Sequence, residues 1–181
     1  MKKFLLILLS LSTVLFFGAC QPEKKLMTPD QKAEEKEEIL ECIRDYNRAS
    51  ENKDFGSIVS CLADEVTFFG TDSTEVIKTF AEFKDAIQKQ WQEYDKITYG
   101  PMNDVFIKMD KKATLASVIF GMSSDVERAG VHNSYYLRVA RTLEKKDGKW
   151  YIVSGIMGIV RSSKEATEAY TLDSNVVGQG Q

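Results

Sequence analysis

Residues 70–75 read GTDSTE, which crowds Thr71, Asp72, Ser73, Thr74 and Glu75 into consecutive positions. Carboxylates in such a cluster either take a proton from a substrate or cap neighbouring backbone N–H groups. Asp72 and Glu75 have the i, i+3 spacing of a local cap. For proton transfer the base would be Asp72 or Asp64 and the acid Tyr46, if the fold brings them to one pocket. Arg141 is the other chemically distinctive residue. It stands in a β-type run beside Val139 and Leu143, and a guanidinium among aliphatic neighbours needs acceptors. It either pairs with a carboxylate such as Asp72 or waits for an anionic ligand. The single histidine, His132, follows Glu127-Arg128-Ala129-Gly130 and reads as a solvated loop residue. With one His and no C-x-x-C, the chain has no zinc-type cluster. No cofactor is expected.

The elements that must position these groups are legible from periodicity. Residues 31–54 contain no Gly or Pro, and Ile39, Cys42, Ile43, Tyr46, Ala49 and Ser50 recur on one helical stripe. A short second helix is expected over 54–63 and a short strand over 66–69. Thr79-Phe80-Ala81-Glu82 has the form of a capping box. The helix it opens carries Phe80, Phe83, Ile87, Trp91 and Tyr94 on one side. The period then changes to two. Strands are expected over 97–110, broken near Gly100-Pro101, over 113–124, and over 131–146 and 149–160 around Asp147-Gly148, a strong hairpin signal. Helices followed by strands indicate an α+β fold, with helices on one face of a curved sheet.

The last hairpin sets the register. With Asp147 and Gly148 as the turn, Lys146 faces Lys149, Leu143 faces Ile152, Arg141 faces Ser154 and Val139 faces Ile156. These three inner pairs share one face, which suits a concave core with one charge in it. Tyr136, Tyr151 and Met157 fall on the other face, where two copies could pair. Tyr46, Trp91 and Tyr94 are further pocket candidates, as are Phe120 and Met122, although core packing is the commoner use of such residues.

Composition bounds the setting. Of 181 residues, 24 are Lys or Arg and 27 Asp or Glu, a formal net charge of −3. Such a balance with scattered charges disfavours nucleic acid, whose binding needs clustered Lys and Arg. Residues 1–19 form a signal peptide: Lys2 and Lys3, an apolar run too short to span a membrane, then Gly18-Ala19 before Cys20. Residues 20–30 read as a flexible tether, 31–160 as one domain, and 161–181 as a tail with room for a short helix. In an exported domain, Cys42 and Cys61 on facing helices either form a disulfide or remain two buried thiols.

Three stretches together resemble the SnoaL-like branch of the NTF2-like superfamily. They are Asn52-Lys53-Asp54-Phe55 with Leu62-Ala63-Asp64-Glu65-Val66, then Phe68-Phe69-Gly70-Thr71-Asp72, and finally Arg141 through Asp147-Gly148-Lys149-Trp150-Tyr151-Ile152-Val153. The Gly-Ala-Cys at 18–20 similarly resembles the lipobox of bacterial lipoproteins, which implies lipidation at Cys20 and a lipid anchor in the cell envelope. The superfamily resemblance implies a cone, a bent sheet wrapped around a long helix, with a pocket that Arg141 lines. Members include ketosteroid isomerases, polyketide cyclases and non-enzymatic binding or oligomerising domains. Many relatives carry His where this chain has Ser154, and often again where it has Ile156. The expectation is therefore a non-catalytic domain that binds a small amphipathic or anionic molecule, or a dimeric scaffold. An isomerase or cyclase with a pocket carboxylate as base is the alternative.

Overall fold

The computed structural model describes residues 27–161. The leader, Cys20, most of the tether and the tail from 162 lie outside the described residues. Helix α1 (Pro29–Glu51) begins earlier than its apolar stripe, because Thr28 caps it. The Thr28 side chain accepts from Gln31 N, the Gln31 side chain accepts from Thr28 N, and Pro29 takes the first turn. Its buried residues are the six of the stripe, Ile39, Cys42, Ile43, Tyr46, Ala49 and Ser50. No described helix is long and apolar enough to cross a membrane.

Helix α2 (Phe55–Val59) is shorter than expected. Leu62 and Ala63 instead open β1 (Leu62–Phe69), because the Cys61 carbonyl accepts a hydrogen bond from Ile152 N at 2.8 Å and draws the chain into the sheet. The 70–75 segment turns β1 back onto a short β2 (Val76–Ile77), with Phe68 opposite Ile77 and Phe69 opposite Val76. Thr79 then starts α3 (Phe80–Glu93) with its capping box in place. Lys53 Nζ donates to the Trp91 and Tyr94 carbonyls at 2.9 and 2.8 Å, a cation on the C-terminal end of that helix.

The remaining chain is β3 (Lys96–Tyr99), β4 (Asn103–Met109), β5 (Leu115–Arg128), β6 (Val131–Lys146) and β7 (Lys149–Ile159). The strand order is β2-β1-β7-β6-β5-β3, with β4 also on β5. Strands β3 and β4 pair successive parts of β5, so they are the one strand broken near Gly100-Pro101. The pairing of β1 with β7 is parallel and makes the sheet mixed. The sheet curls around α1. Glu35 fixes that helix to the hairpin, accepting from Trp150 Nε1 at 2.9 Å and from Lys145 Nζ at 2.7 Å. Trp150, Phe83, Ile39, Ile43, Leu143 and Ile152 form the fully buried centre.

Both long hairpins close on two-residue turns with positive φ at each position: 52° and 81° at Asp147-Gly148, 50° and 76° at Ala129-Gly130. This type I′ geometry matches strand twist. The segment expected as a loop over 127–130 is therefore strand up to Arg128 and again from Val131, and His132 lies in β6 with its side chain 75% exposed. Ala129 pays a steric penalty that Asn would largely avoid. Ala129→Asn should raise unfolding stability by about 0.5–1 kcal/mol in urea titration.

The β4–β5 turn is organised by Asp110, whose carboxylate accepts from the backbone N–H groups of Thr114 at 2.6 Å, Leu115 at 3.0 Å and Lys112 at 3.2 Å. Those bonds hold its pKa down from 3.8 to about 2. A depressed carboxylate pKa contributes stability that is present above about pH 4 and is lost as pH falls towards 2. Thermal melts across that window should show a steeper acid loss in the wild type than in Asp110→Asn.

Candidate functional site

A cavity of about 80 Å³ opens between the helices and the sheet. Tyr46 of α1 and Phe68 of β1 form one side. Phe83, Ala86, Ile87 and Gln90 of α3 form another, with Ile77 of β2 beside them. Arg141 of β6 and Met157 of β7 face them, and Gly70 and Glu75 stand at the mouth. The α3 contributors recur at helical spacing, so the capping box at Thr79 fixes which of its faces closes the cavity.

Arg141 is 5% exposed. Its guanidinium carbon lies 5.6 Å from the Tyr46 ring centroid and 5.2 Å from that of Phe68, a cation between two aromatic faces. Burial pushes its pKa down, and the nearby groups that oppose this are Tyr46 and Tyr99 rather than any carboxylate. Among the described residues the guanidinium has no ion pair or hydrogen bond, and none of its nitrogens is sealed from solvent without a partner. The free N–H groups therefore open onto the cavity.

The hairpin register changes part-way along. Leu143 faces Ile152 as expected, but Thr142 faces Ser154, Arg141 faces Gly155 and Val139 faces Met157. Val153 is the extra residue of a β-bulge, and every later side chain of β7 turns to the opposite face. Ser154 and Ile156, expected in the pocket, therefore point outward, with Ile156 52% exposed. Met157, expected on the outer face, lines the cavity. A sequence signal for the bulge existed in Gly155, since glycine inside a strand marks a bulge or a close approach. A Cβ at 155 would collide with Arg141 Nη1 and sit 2.9 Å from the Ala140 carbonyl oxygen.

The other expected site residues separate. Asp72 does not meet Arg141. It is exposed, its Oδ1 accepts from Thr74 N at 2.8 Å and Thr74 Oγ1 at 2.6 Å, and its own N–H donates to Glu75 Oε2 at 3.1 Å. The Thr74 bonds hold its pKa down. Asp64 is on the surface, 2.8 Å from Lys146 Nζ. Trp91 packs edge-on against Phe55, with ring centroids 6.4 Å apart, and does not line the cavity. Tyr94 does not line the cavity but an adjoining surface groove, which shares Glu75, Ile77, Ala86 and Gln90 with it. Phe120 and Met122 are sealed in the core. Tyr46 does reach the cavity, and burial raises its pKa to about 12, which keeps its hydroxyl protonated. The lining residues missed from sequence include Phe68, Phe83, Gln90, Glu75 and Met157. Among the described residues no group of His, Cys, Asp and Glu could hold a metal ion.

The cavity thus offers apolar walls, an unpaired cation on its inner side and polar groups at its mouth. Substitution at Gly155 tests the packing of the cation. Gly155→Ala should cost about 1–3 kcal/mol of stability by forcing the guanidinium and the Ala140 carbonyl aside. Gly158→Ala, where nothing lies within 4 Å, should change it by less than about 0.5 kcal/mol.

Comparison with known proteins places this geometry in a family. Residues 39–157 match the model of the SnoaL-like domain. No curated protein is similar in sequence. Among solved structures, a provisionally named scytalone dehydratase from Novosphingobium aromaticivorans is similar at 12% identity and a TM-score of 0.67, over 74% of this chain and 89% of that one. A hexachlorocyclohexane dehydrochlorinase from Novosphingobium barchaimii gives 10% and 0.63, over 72% and 89%. A provisionally named calcium/calmodulin-dependent protein kinase II association domain from Xanthomonas campestris gives 16% and 0.61, over 69% and 87%. These likenesses establish the NTF2-like α+β fold. The chain belongs to the SnoaL-like domain family.

Proposed function

We propose that this SnoaL-like domain binds, without catalysis, a small molecule that presents a carboxylate or similar anionic group to Arg141 and an apolar part to Phe68, Phe83 and Met157. The unpaired, buried guanidinium carries this reading. Holding a charge in such a place costs free energy that an internal partner would normally offset, and a bound anion restores that balance. The volume of about 80 Å³ is smaller than the roughly 150 Å³ apolar cavity that takes benzene. The anionic head and a few more atoms fit inside, and a larger body would lie across Phe69 and Ile77 at the mouth. The N-terminal segment supports display at the bacterial cell envelope through lipid on Cys20.

A structural arginine and a ligand arginine respond oppositely to removal. Arg141→Met should leave the unliganded domain as stable as the wild type or more stable by about 1 kcal/mol or more, while abolishing binding. Thermal shift with benzoate and short-chain carboxylates should raise the wild-type Tm. The matching amides should not, and Arg141→Met should respond to neither. Equal shifts from acid and amide would count against the anion reading.

One observation favours an isomerase or cyclase as the second reading. Glu75 is a carboxylate at the mouth of the same cavity. It is exposed and its Oε2 already accepts from Asp72 N, so it is a base only if a ligand covers it.

The outer sheet face supports a homodimer. Phe106, Ile119, Ala140, Ile156, Phe69 and Val76 stand directly opposite one another on β4, β5, β6, β7, β1 and β2. Phe106 is 67% exposed, and Ile119, Ile156 and Phe69 each just over half. At about 4.8 Å per strand the row runs roughly 24 Å, the breadth of an ordinary interface, and a two-fold axis would lay it on its own copy. Native mass spectrometry should show a dimer that Ile119→Arg converts to monomer; a monomeric wild type would remove this part of the reading.

A further inference from the structure

Cys42 and Cys61 lie away from the cavity of Arg141, and the proposed binding role does not use them. Both are buried free thiols, and they meet where α1 crosses the start of β1. Cys42 Sγ donates towards the Trp150 carbonyl at 3.4 Å and the Cys61 carbonyl at 3.8 Å, so its sulfur is enclosed by the hairpin. Cys61 Sγ donates to the Ser57 carbonyl at 3.5 Å. Both residues are nine-tenths or more buried, and they differ in which surface they adjoin. Cys61 reaches a surface cavity of about 340 Å³, whose other walls include Arg48, Asp54, Ser57 and Ser60, and Cys42 does not.

We propose that Cys42 and Cys61 form a reversible dithiol–disulfide site, in which Cys61 is the sulfur that meets an external disulfide and Cys42 is the resolving thiol behind it. Two observations beyond the presence of cysteines support the assignment. The cavity gives a small disulfide a path to Cys61 only, and Cys42 Sγ comes within 3.8 Å of the Cys61 carbonyl oxygen, so the two residues are in contact across the α1–β1 junction. The direction of their titration agrees. The Cys42 side chain beside it draws the Cys61 pKa below the ordinary thiol value, with Lys149 adding to the effect and burial and Asp45 opposing it. The same contact, with burial, pushes Cys42 up. A thiolate is the attacking species in exchange, so Cys61 attacks first.

The chemistry balances as two exchanges. The Cys61 thiolate attacks one sulfur of a small disulfide, RSSR, forming a Cys61–SR bond and releasing RS⁻. Cys42 then attacks the Cys61 sulfur, its proton passing to the departing thiolate, and the Cys42–Cys61 bond forms as the second RSH leaves. The protein dithiol loses two electrons and the small disulfide gains them. The new bond would tie α1 to β1 one helical turn from Tyr46, since Cys42 and Tyr46 share the α1 stripe.

The test uses the full chain carrying Cys20→Ser, so that only these two thiols remain, equilibrated in buffers of oxidised and reduced glutathione and quenched with a maleimide. Mass spectrometry of the intact protein should show both thiols lost together, without retained glutathione, and peptide mapping should recover the Cys42–Cys61 link. In Cys42→Ala, Cys61 should trap one glutathione. In Cys61→Ala, Cys42 should react roughly tenfold more slowly or not at all, following its enclosure and raised pKa. Circular dichroism checks that each variant is folded, and Cys42→Ser replaces Cys42→Ala if it is not. Retention of two glutathiones by the folded wild-type pair, equal reactivity of the two single variants, or no reaction short of unfolding would each overturn the proposal.

Discussion

The geometry inside the cone depends on one extra residue in β7. Up to Ile152 the hairpin keeps the register that its type I′ turn imposes. Val153 then interrupts it, and the pleat resumes with the opposite phase. Gly155 thereby comes to lie across from Arg141, which gives the guanidinium room to fold against bare backbone. Met157 turns inward to line the wall, and Ile156 turns outward to bridge Ala140 and Phe69 on the convex face. Without that residue, the apolar row outside and the cation inside would trade several of their members.

The cation itself is an unusual choice of energetics. Two aromatic rings flank it, and cation–π attraction of about 2 kcal/mol offsets only part of a desolvation cost of several. The fold recovers the difference elsewhere, through a core of closely packed Trp150, Ile43, Ile152 and Leu143 and through the Glu35–Lys145–Trp150 contact that fastens α1 to the sheet. Stability is thus concentrated at one end of α1 and along the hairpin, and the site at the other end of Tyr46's stripe is held under polar strain. That division is common where a pocket is pre-shaped for a ligand.

Much of this was legible in the sequence because it is local. The capping box at Thr79, the α1 stripe and the Asp147-Gly148 turn each depend on residues within a few positions of one another. Arg141 stood out because its type conflicts with its neighbours. The parts that escaped are non-local or depend on a single count. The parallel pairing of β1 with β7 has no signature in either strand. The fate of Trp91 was decided by Phe55, a residue on another helix. The phase of β7 hung on one inserted residue, whose only trace is a glycine two positions on. Asp72 shows the converse case: its local capping geometry was readable, and its supposed long-range partner was not there.

The union of β1 with β7 also dictates an order of events during folding. Phe68 and Met157 lie on opposite walls of the cavity but belong to the first and last long strands. Helix α1, the hairpin turns and the β5–β6 ribbon can form from nearby chain. The cavity cannot, because its closing requires a contact between strands separated by most of the domain, and loop-closure entropy delays such contacts. Until β7 docks, the edge of β1 and the inner face of Phe68 are open to water and to other chains. A polypeptide made or delivered from its N-terminus therefore completes its binding site last, as the final strand seals the sheet.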